Sequence, residues 1–265
     1  MRARGWSDPM RLHVVNPNTT EAMTAKIATA ARAVALLDTV IDARQPEMGP
    51  VSIEGFYDEA FAVPGMLGCI RDADRDGADA HIIACFDDTG LDAARAIAQA
   101  PVIGIAEAAF HTASLIAGRF AVVTTLSVFI VPIENNLRKY GLSDRCARVR
   151  AADVPGTGAG GAIKTPAPKS ATKLVPLSAL IARRPSCSGC AGMVDLVAEL
   201  AHKHGLPVVD GVTAAVTLAE ALVRLGLKTS RLGLIRRQSR SPIPACWLDF
   251  GLELPQERAS AAVAD

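Results

Sequence analysis

The sequence predicts an α/β protein of two pseudo-symmetric lobes, each a mainly parallel sheet flanked by helices, with the functional cleft between them. Three observations lead to this. Half of the 265 residues are hydrophobic but only 4% are aromatic, with Ala and Val abundant, which suits a parallel sheet covered by helices. Short apolar runs alternate with helical stretches, as parallel βαβ units require. Two segments also repeat each other. Cys85-Phe-Asp-Asp-Thr-Gly90 leads through an Ala-rich helical stretch to Pro101-Val-Ile-Gly-Ile105, and Cys190-Ala-Gly-Met193 leads through a second one to Pro207-Val-Val-Asp-Gly211. The interval from cysteine to proline is 16 positions in the first copy and 17 in the second.

Leu12–Val15 reads as a strand stopped by Pro17, and Asn18 or Thr19 is placed to cap a helix over Glu21–Leu36. A weaker strand follows over Asp38–Ala43. Leu67–Gly77 reads as a helix with Cys69 on its packing face, and Ala80–Ala84 as a buried strand. Asp88 or Thr89 is expected to cap the next helix, Leu91–Ala100. Then come a strand at Val102–Ile105 and a helix at Ala106–Ile116. The second half opens the same way, with a strand at Phe120–Val123 ending in Thr124-Thr125 and a helix at Val131–Tyr140 stopped by Gly141. The expected division is lobe 1 over 10–105, completed by 218–233, and lobe 2 over 106–217. Residues 1–9 and 234–265 read as poorly ordered tails.

One stretch breaks the pattern. Between Gly156 and Cys187 the chain is rich in Gly, Pro, Ser and Lys, and Lys164, Lys169, Lys173, Arg183 and Arg184 meet no acidic residue from Asp153 to Asp195. The strand expected ahead of Cys190 is replaced by Arg183-Arg-Pro-Ser186. Segment 156–188 is either a flexible basic insertion or a stretch read out of frame, with register restored just before Gly189. We favour the second reading.

The totals exclude several classes. A net charge of +1 offers nothing to nucleic acid or an acidic membrane surface. No apolar run approaches the roughly 18 residues of a membrane span, and the N-terminal residues lack a signal peptide's apolar stretch. Six irregularly spaced cysteines do not form a disulfide scaffold, which together predicts a reducing, cytoplasmic setting. Cys69, Cys146 and Cys246 read as small buried hydrophobes. Cys187-Ser-Gly-Cys190 is formally a C-x-x-C, but two further zinc ligands at partner spacing are not evident, so no metal is assigned.

In an α/β sheet the ligand lies beyond the carboxyl ends of the strands, where Asn16, Cys85, Thr125 and Cys190 are expected. Two cysteines on opposite lobes suit removal of a proton beside a carbonyl and its return on the other face. Each precedes an expected helix start, which should lower its thiol pKa toward neutrality, and the same N–H groups could hold an enolate oxygen. Gly90 and Gly192 leave backbone room for a ligand. Asn16, Thr124 and Thr125 offer neutral hydrogen-bonding groups, while Asp87 serves equally well as a substrate contact or a helix cap. Glu107 and His111 read as an exposed i,i+4 pair. With no Arg or Lys at these strand ends, a substrate bearing a distal carboxylate or phosphate is disfavoured.

Val14-Val-Asn-Pro-Asn-Thr-Thr20, Ala84-Cys-Phe-Asp-Asp-Thr-Gly-Leu-Asp92, Pro101-Val-Ile-Gly-Ile-Ala-Glu107, Val122-Val-Thr-Thr125 and Gly189-Cys-Ala-Gly-Met193 together resemble the hydantoin racemase family of the aspartate/glutamate racemase superfamily. The likeness runs over Leu12–Val154 and resumes over Gly189–Gly233. It implies cofactor-independent racemisation of 5-substituted hydantoins or allantoin (cyclic ureides), a homo-oligomer, and Cys85 and Cys190 as the acid/base pair. It also implies Asn16, Phe86, Asp87, Thr89, Thr124, Thr125, Ala191 and Gly192 around the substrate ring. Other activities of the superfamily are the alternatives: amino-acid racemase, maleate isomerase or arylmalonate decarboxylase. A catalytically impaired small-molecule binding protein is a further one. The decarboxylase uses only one of the two thiols, and a free amino acid would call for a charged pocket.

Overall fold

The computed structural model describes residues 9–151 and 207–230 in full and 186–188 as backbone. Two parallel four-stranded sheets form its frame. The first contains β1 (Met10–Val15), β2 (Thr39–Arg44), β3 (Ala80–Ile83) and β4 (Val102–Gly104), in the order β2-β1-β3-β4. The second contains β5 (Phe120–Thr124), β6 (Cys146–Ala151), β7 (Ser186–Ser188) and β8 (Val208–Asp210), in the order β6-β5-β7-β8. Both sheets thus place their strands second, first, third, fourth, which is the structural form of the sequence repeat.

The helices are α1 (Glu21–Val34), α2 (Phe56–Arg75), α3 (Leu91–Ile97), α4 (Ile105–Ile116), α5 (Ile130–Lys139) and α6 (Gly211–Arg224). Every residue of β3 is buried, as a central parallel strand demands. Leu12, Val14 and Ile82 face a core shared with α1, α4 and α6, whereas Val15 and Ile83 face α2 and α3. The alternation follows from the two-residue period of a strand. Helix α4 packs against β4, β7, β8, α5 and α6, so it joins the halves. Its Phe110 lies 5.5 Å from the Phe86 ring and 6.1 Å from that of Phe120. Helix α6 spans the expected lobe boundary at 217/218 and packs on α1, β1 and β3 as well as α4.

Several expectations are corrected. Helix α2 begins at Phe56 rather than Leu67 and runs through Pro64. It tolerates the proline because burial of Ala62, Met66, Ile70 and Ala73 along one face outweighs the lost backbone bond. At Gly65 any side chain would strike the carbonyl oxygen of Met48, 2.5 Å from an added Cβ, so the proline-glycine step lets the 46–48 segment cross the helix closely. Thr20, not Asn18 or Thr19, occupies the N-cap of α1, and its hydroxyl turns away to the Val51 carbonyl at 2.7 Å. Strand β6 has no counterpart in the sequence reading, because its alternation Cys-Ala-Arg-Val-Arg-Ala suits an edge more than a core.

The strand reckoned absent before Cys190 is present as β7, at Ser186–Ser188. It pairs in parallel with β5 on one side and β8 on the other. Ser-Cys-Ser carries no strand signal of its own; its hydrogen-bonding groups are fixed by two neighbouring strands, a case of context overriding propensity. The remainder of 156–188, both expected tails beyond residue 9 and residue 230, and the expected helix after Cys190 lie outside the described residues.

A buried polar pair sits in the first sheet. His13 Nδ1 and His81 Nδ1 are 3.0 Å apart, and His81 Nε2 meets Asp74 Oδ1 at 2.9 Å. Burial, then the neighbouring His81, holds the His13 imidazole down to a pKa of about 3, so this ring is neutral.

Candidate active site

Strands β1 and β3 end side by side, with the Ala84 N–H donating to the Val15 carbonyl at 2.8 Å. Asn16 follows the first of these ends directly, and Cys85 stands two positions beyond the second. Asn16 is buried, and its Nδ2 donates to Asn18 Oδ1 at 2.9 Å, Thr24 Oγ1 at 3.1 Å and the Thr20 carbonyl at 3.2 Å. Its side-chain donors knit the β1–α1 loop together. Thr124 closes β5, fully buried, with an Oγ1 that has no partner among the described residues. Thr125 beside it is half-buried.

The Cys85 loop is the most tightly specified part of the site. The Cys85 carbonyl accepts from the Asp88 N–H at 3.0 Å, and Asp87 Oδ1 accepts from the Thr89 N–H at 3.0 Å and the Thr89 hydroxyl at 2.5 Å. This is a turn in which the aspartate mimics a backbone acceptor. Phe86 is buried against Phe110 and beneath Gly211, where a Cβ would lie 3.2 Å from its ring. Gly90 has φ +64°, and a Cβ there would meet the Met66 methyl at 2.8 Å. The left-handed turn and the close approach to α2 are therefore what require glycine, rather than room for a ligand.

The expected lowering of the Cys85 pKa is overturned. Five loop residues separate Cys85 from α3, whose N-cap is Gly90, so the thiol does not sit on that helix end. Burial pushes the thiol well above its ordinary range, and the Asp87 carboxylate adds to this. Hydrogen bonds from the Thr89 hydroxyl and the Asp87 N–H work in the opposite direction. Cys85 therefore rests as the thiol at neutral pH.

Asp88, expected to cap α3, caps α4 instead. Its Oδ1 accepts from the Ala106 N–H at 3.0 Å, and its Oδ2 from the Glu107 N–H at 2.9 Å and the Tyr140 hydroxyl at 2.7 Å. The backbone reaches this position with φ +53°, a left-handed conformation that Asp tolerates better than most residues. The other end of α4 is capped at a distance too: the Arg145 guanidinium donates to the carbonyls of Ser114 at 2.7 Å and Ala117 at 2.8 Å. Glu107 pairs with Arg95 at 2.5 Å, which replaces the expected partnership with His111. From the second half, Asn136 Nδ2 of α5 reaches the Asp87 carbonyl at 2.5 Å.

Cys190, Ala191 and Gly192 lie outside the described residues, as does Cys246. In the sequence, Cys190 follows the last residue of β7 by two positions, as Cys85 follows the last residue of β3. Asp88 and Tyr140 are the site residues that the sequence reading missed as such. The available signal was the polar doublet Asp87-Asp88, in which both carboxylates could not cap the same short helix. No cluster of His, Cys, Asp or Glu among the described residues is arranged to hold a metal ion, and no described helix is long and apolar enough to cross a membrane.

Comparison with known proteins agrees with this architecture. Residues 12–219 match the Asp/Glu/Hydantoin racemase family model. A hydantoin racemase of Rhizobium meliloti is 43% identical over 228 residues, covering 84% of this chain and 92% of that protein. One from Pseudomonas sp. (strain NS671) is 38% identical over 248 residues, covering 91% and 97%. The solved allantoin racemase of Klebsiella pneumoniae is 40% identical and superposes with a TM-score of 0.80, covering 91% of this chain and 98% of that one. The chain belongs to the Asp/Glu/Hydantoin racemase family and is an isomerase of the racemase type.

Proposed function

We propose that this protein racemises 5-substituted hydantoins or allantoin by proton transfer at C5 between Cys85 and Cys190, without a cofactor. The observation that carries the reading is the matched placement of the two cysteines. Strands β3 and β7 are each third in their sheet order, and each thiol stands two positions beyond its strand in the sequence. In such a pair one sulfur, as thiolate, takes the C5 proton and leaves an enolate. The opposing thiol gives its own proton to the other face, so the two sulfurs exchange protonation states and the ring is inverted. Cys85, held as a thiol by burial and by Asp87, suits the donor role in the resting protein, with Cys190 as the base.

The test is incubation of a single-enantiomer 5-substituted hydantoin with the protein in D2O, following optical rotation and C5 deuteration together. Loss of rotation with deuterium uptake above the uncatalysed rate is the expected result. No change with hydantoins and allantoin, from folded protein, would overturn the substrate assignment.

A further inference from the structure

We propose that Asp88 is a positioning residue of the active site: its carboxylate fastens the Cys85 loop to the first turn of α4 and to the Tyr140 phenol at the end of α5. The inference rests on Cys85 being a reacting thiol, as proposed above, and adds a group three residues away that touches no substrate.

The geometry is that of a clamp. One carboxylate receives three donors from outside its own loop, two backbone N–H groups of α4 and one phenol. Its backbone N–H meanwhile holds the Cys85 carbonyl, and its carbonyl receives the Leu91 N–H at 3.1 Å. Residue 88 therefore connects the sulfur-bearing residue, the start of α3, the start of α4 and the end of α5. Nothing on the α4 side substitutes for it. Gly104, at the N-cap of that helix, has no side chain, and a Cβ there would collide with the Asp88 carboxylate. Asn136 on the Asp87 carbonyl supplies the second tether from α5. Since β5 ends in Thr124, with Thr125 just beyond it, and leads into α5, the clamp also fixes the Cys85 loop relative to the opposite sheet.

Three donors converging on one carboxylate fit its ionised form. Adding a proton removes the charge that strengthens all three bonds and takes up the one acceptor site they leave free, so each donor is held more weakly. The titratable groups facing Asp88 are Tyr140 from α5 and Glu107 from α4, with Arg95 of α3 paired to Glu107 and Asp87 on its own loop. Burial pushes the Asp88 carboxyl up to about 7, against the pull of the Tyr140, Ala106 and Glu107 hydrogen bonds and with a smaller push from the Glu107 charge. The clamp thus loosens as pH falls through about 7.

The experiment compares the full-length protein with Asp88→Asn and Tyr140→Phe, each first shown to be folded by circular dichroism. Racemisation of a single-enantiomer 5-alkylhydantoin is measured from pH 6 to 9, and the rate of Cys85 alkylation by iodoacetamide is read over the same range by mass spectrometry. Asp88→Asn should lower kcat about 100-fold, the scale of a reacting group misplaced by about 1 Å, with KM within about threefold. It should also abolish the break near pH 7 in both profiles. Tyr140→Phe removes one bond to the anion, so its break should move up by about one pH unit. Wild-type kcat in folded Asp88→Asn, or an unmoved break in Tyr140→Phe, would overturn the proposal. If Asp88→Asn does not fold, Tyr140→Phe decides alone. If the unmodified protein racemises no hydantoin or allantoin, the substrate reading fails by itself, and the position of the alkylation break in Tyr140→Phe still supports or overturns the clamp.

Discussion

The Asp88 carboxylate fills the space that a side chain at Gly104 would need. Seventeen residues upstream of the start of α4, it supplies the N-terminal cap that the helix lacks locally, with bonds of 3.0 and 2.9 Å to the Ala106 and Glu107 N–H groups. In the second half the same place in the repeat is Asp210, which caps α6 itself by accepting from the Thr213 N–H at 2.8 Å. The two halves thus satisfy the same unpaired helix donors in two ways, and in the first the cap is also tied to a cysteine loop.

Gly104→Ala tests that relationship directly. The added methyl must displace the Asp88 carboxylate and strip α4 of its cap. The expected loss is about 1–3 kcal/mol in urea unfolding, the usual range for overpacking a buried site. Asp210→Ala, which removes a local cap, should cost about 1 kcal/mol.

Replacing either Cys85 or Cys190 by Ser should lower racemisation by about 1,000-fold or more, since each removes one of two acid/base groups. Circular dichroism should stay unchanged. A single variant with full activity would rule out the two-thiol scheme.

Asp87→Asn should make Cys85 more reactive. The Asp87 charge and its side-chain hydrogen bond both push the thiol up, and neither survives as a charged interaction in the amide. Iodoacetamide labelling of Cys85 at pH 7.5 should accelerate about tenfold, the effect of roughly one pKa unit. Unchanged labelling would show that burial alone sets the thiol.

The pH dependence of stability should contain two opposing contributions. His13 titrates at about 3 when folded, against an ordinary 6.5 for the unfolded chain, so only the unfolded chain takes up this proton between those values. Its contribution is present above 6.5 and is lost on acidification, by about 2 kcal/mol between pH 8 and 5. Asp88 has the opposite sign, with a folded value of about 7 against 3.8. Its contribution is full below 3.8 and is lost as pH rises through about 7, which amounts to about 3 kcal/mol over the same interval. Relative to the unmodified protein, urea midpoints should show His13→Leu gaining stability from pH 8 to 5 and Asp88→Asn losing it. Parallel behaviour of the two variants would contradict these assignments.

The regular elements were legible where periodicity was strong. Glu21–Val34, Ala80–Ile83, Ile105–Ile116 and Ile130–Lys139 lie within a few residues of their expected bounds, because their apolar spacing matches the faces they bury. The start of α2 was hidden by Pro64, and β7 by its Ser-Cys-Ser composition. Cys85 was recognisable as a site residue from its polar loop, yet its thiol is held high rather than low. A helix end that looks close in sequence is separated from the sulfur by a packed turn.

By itself the sequence determined the two-fold repeat, the α/β class and the placement of Asn16, Cys85 and Thr124 at strand ends. These depend on local spacing and on the alternation of apolar residues, both properties of adjacent positions. Only the tertiary structure decided that Asp88 caps α4, that Glu107 pairs with Arg95, that β7 is a strand, and that burial keeps Cys85 protonated. Each of those depends on which distant donor or apolar surface arrives beside a group, and so on the packing of the whole chain.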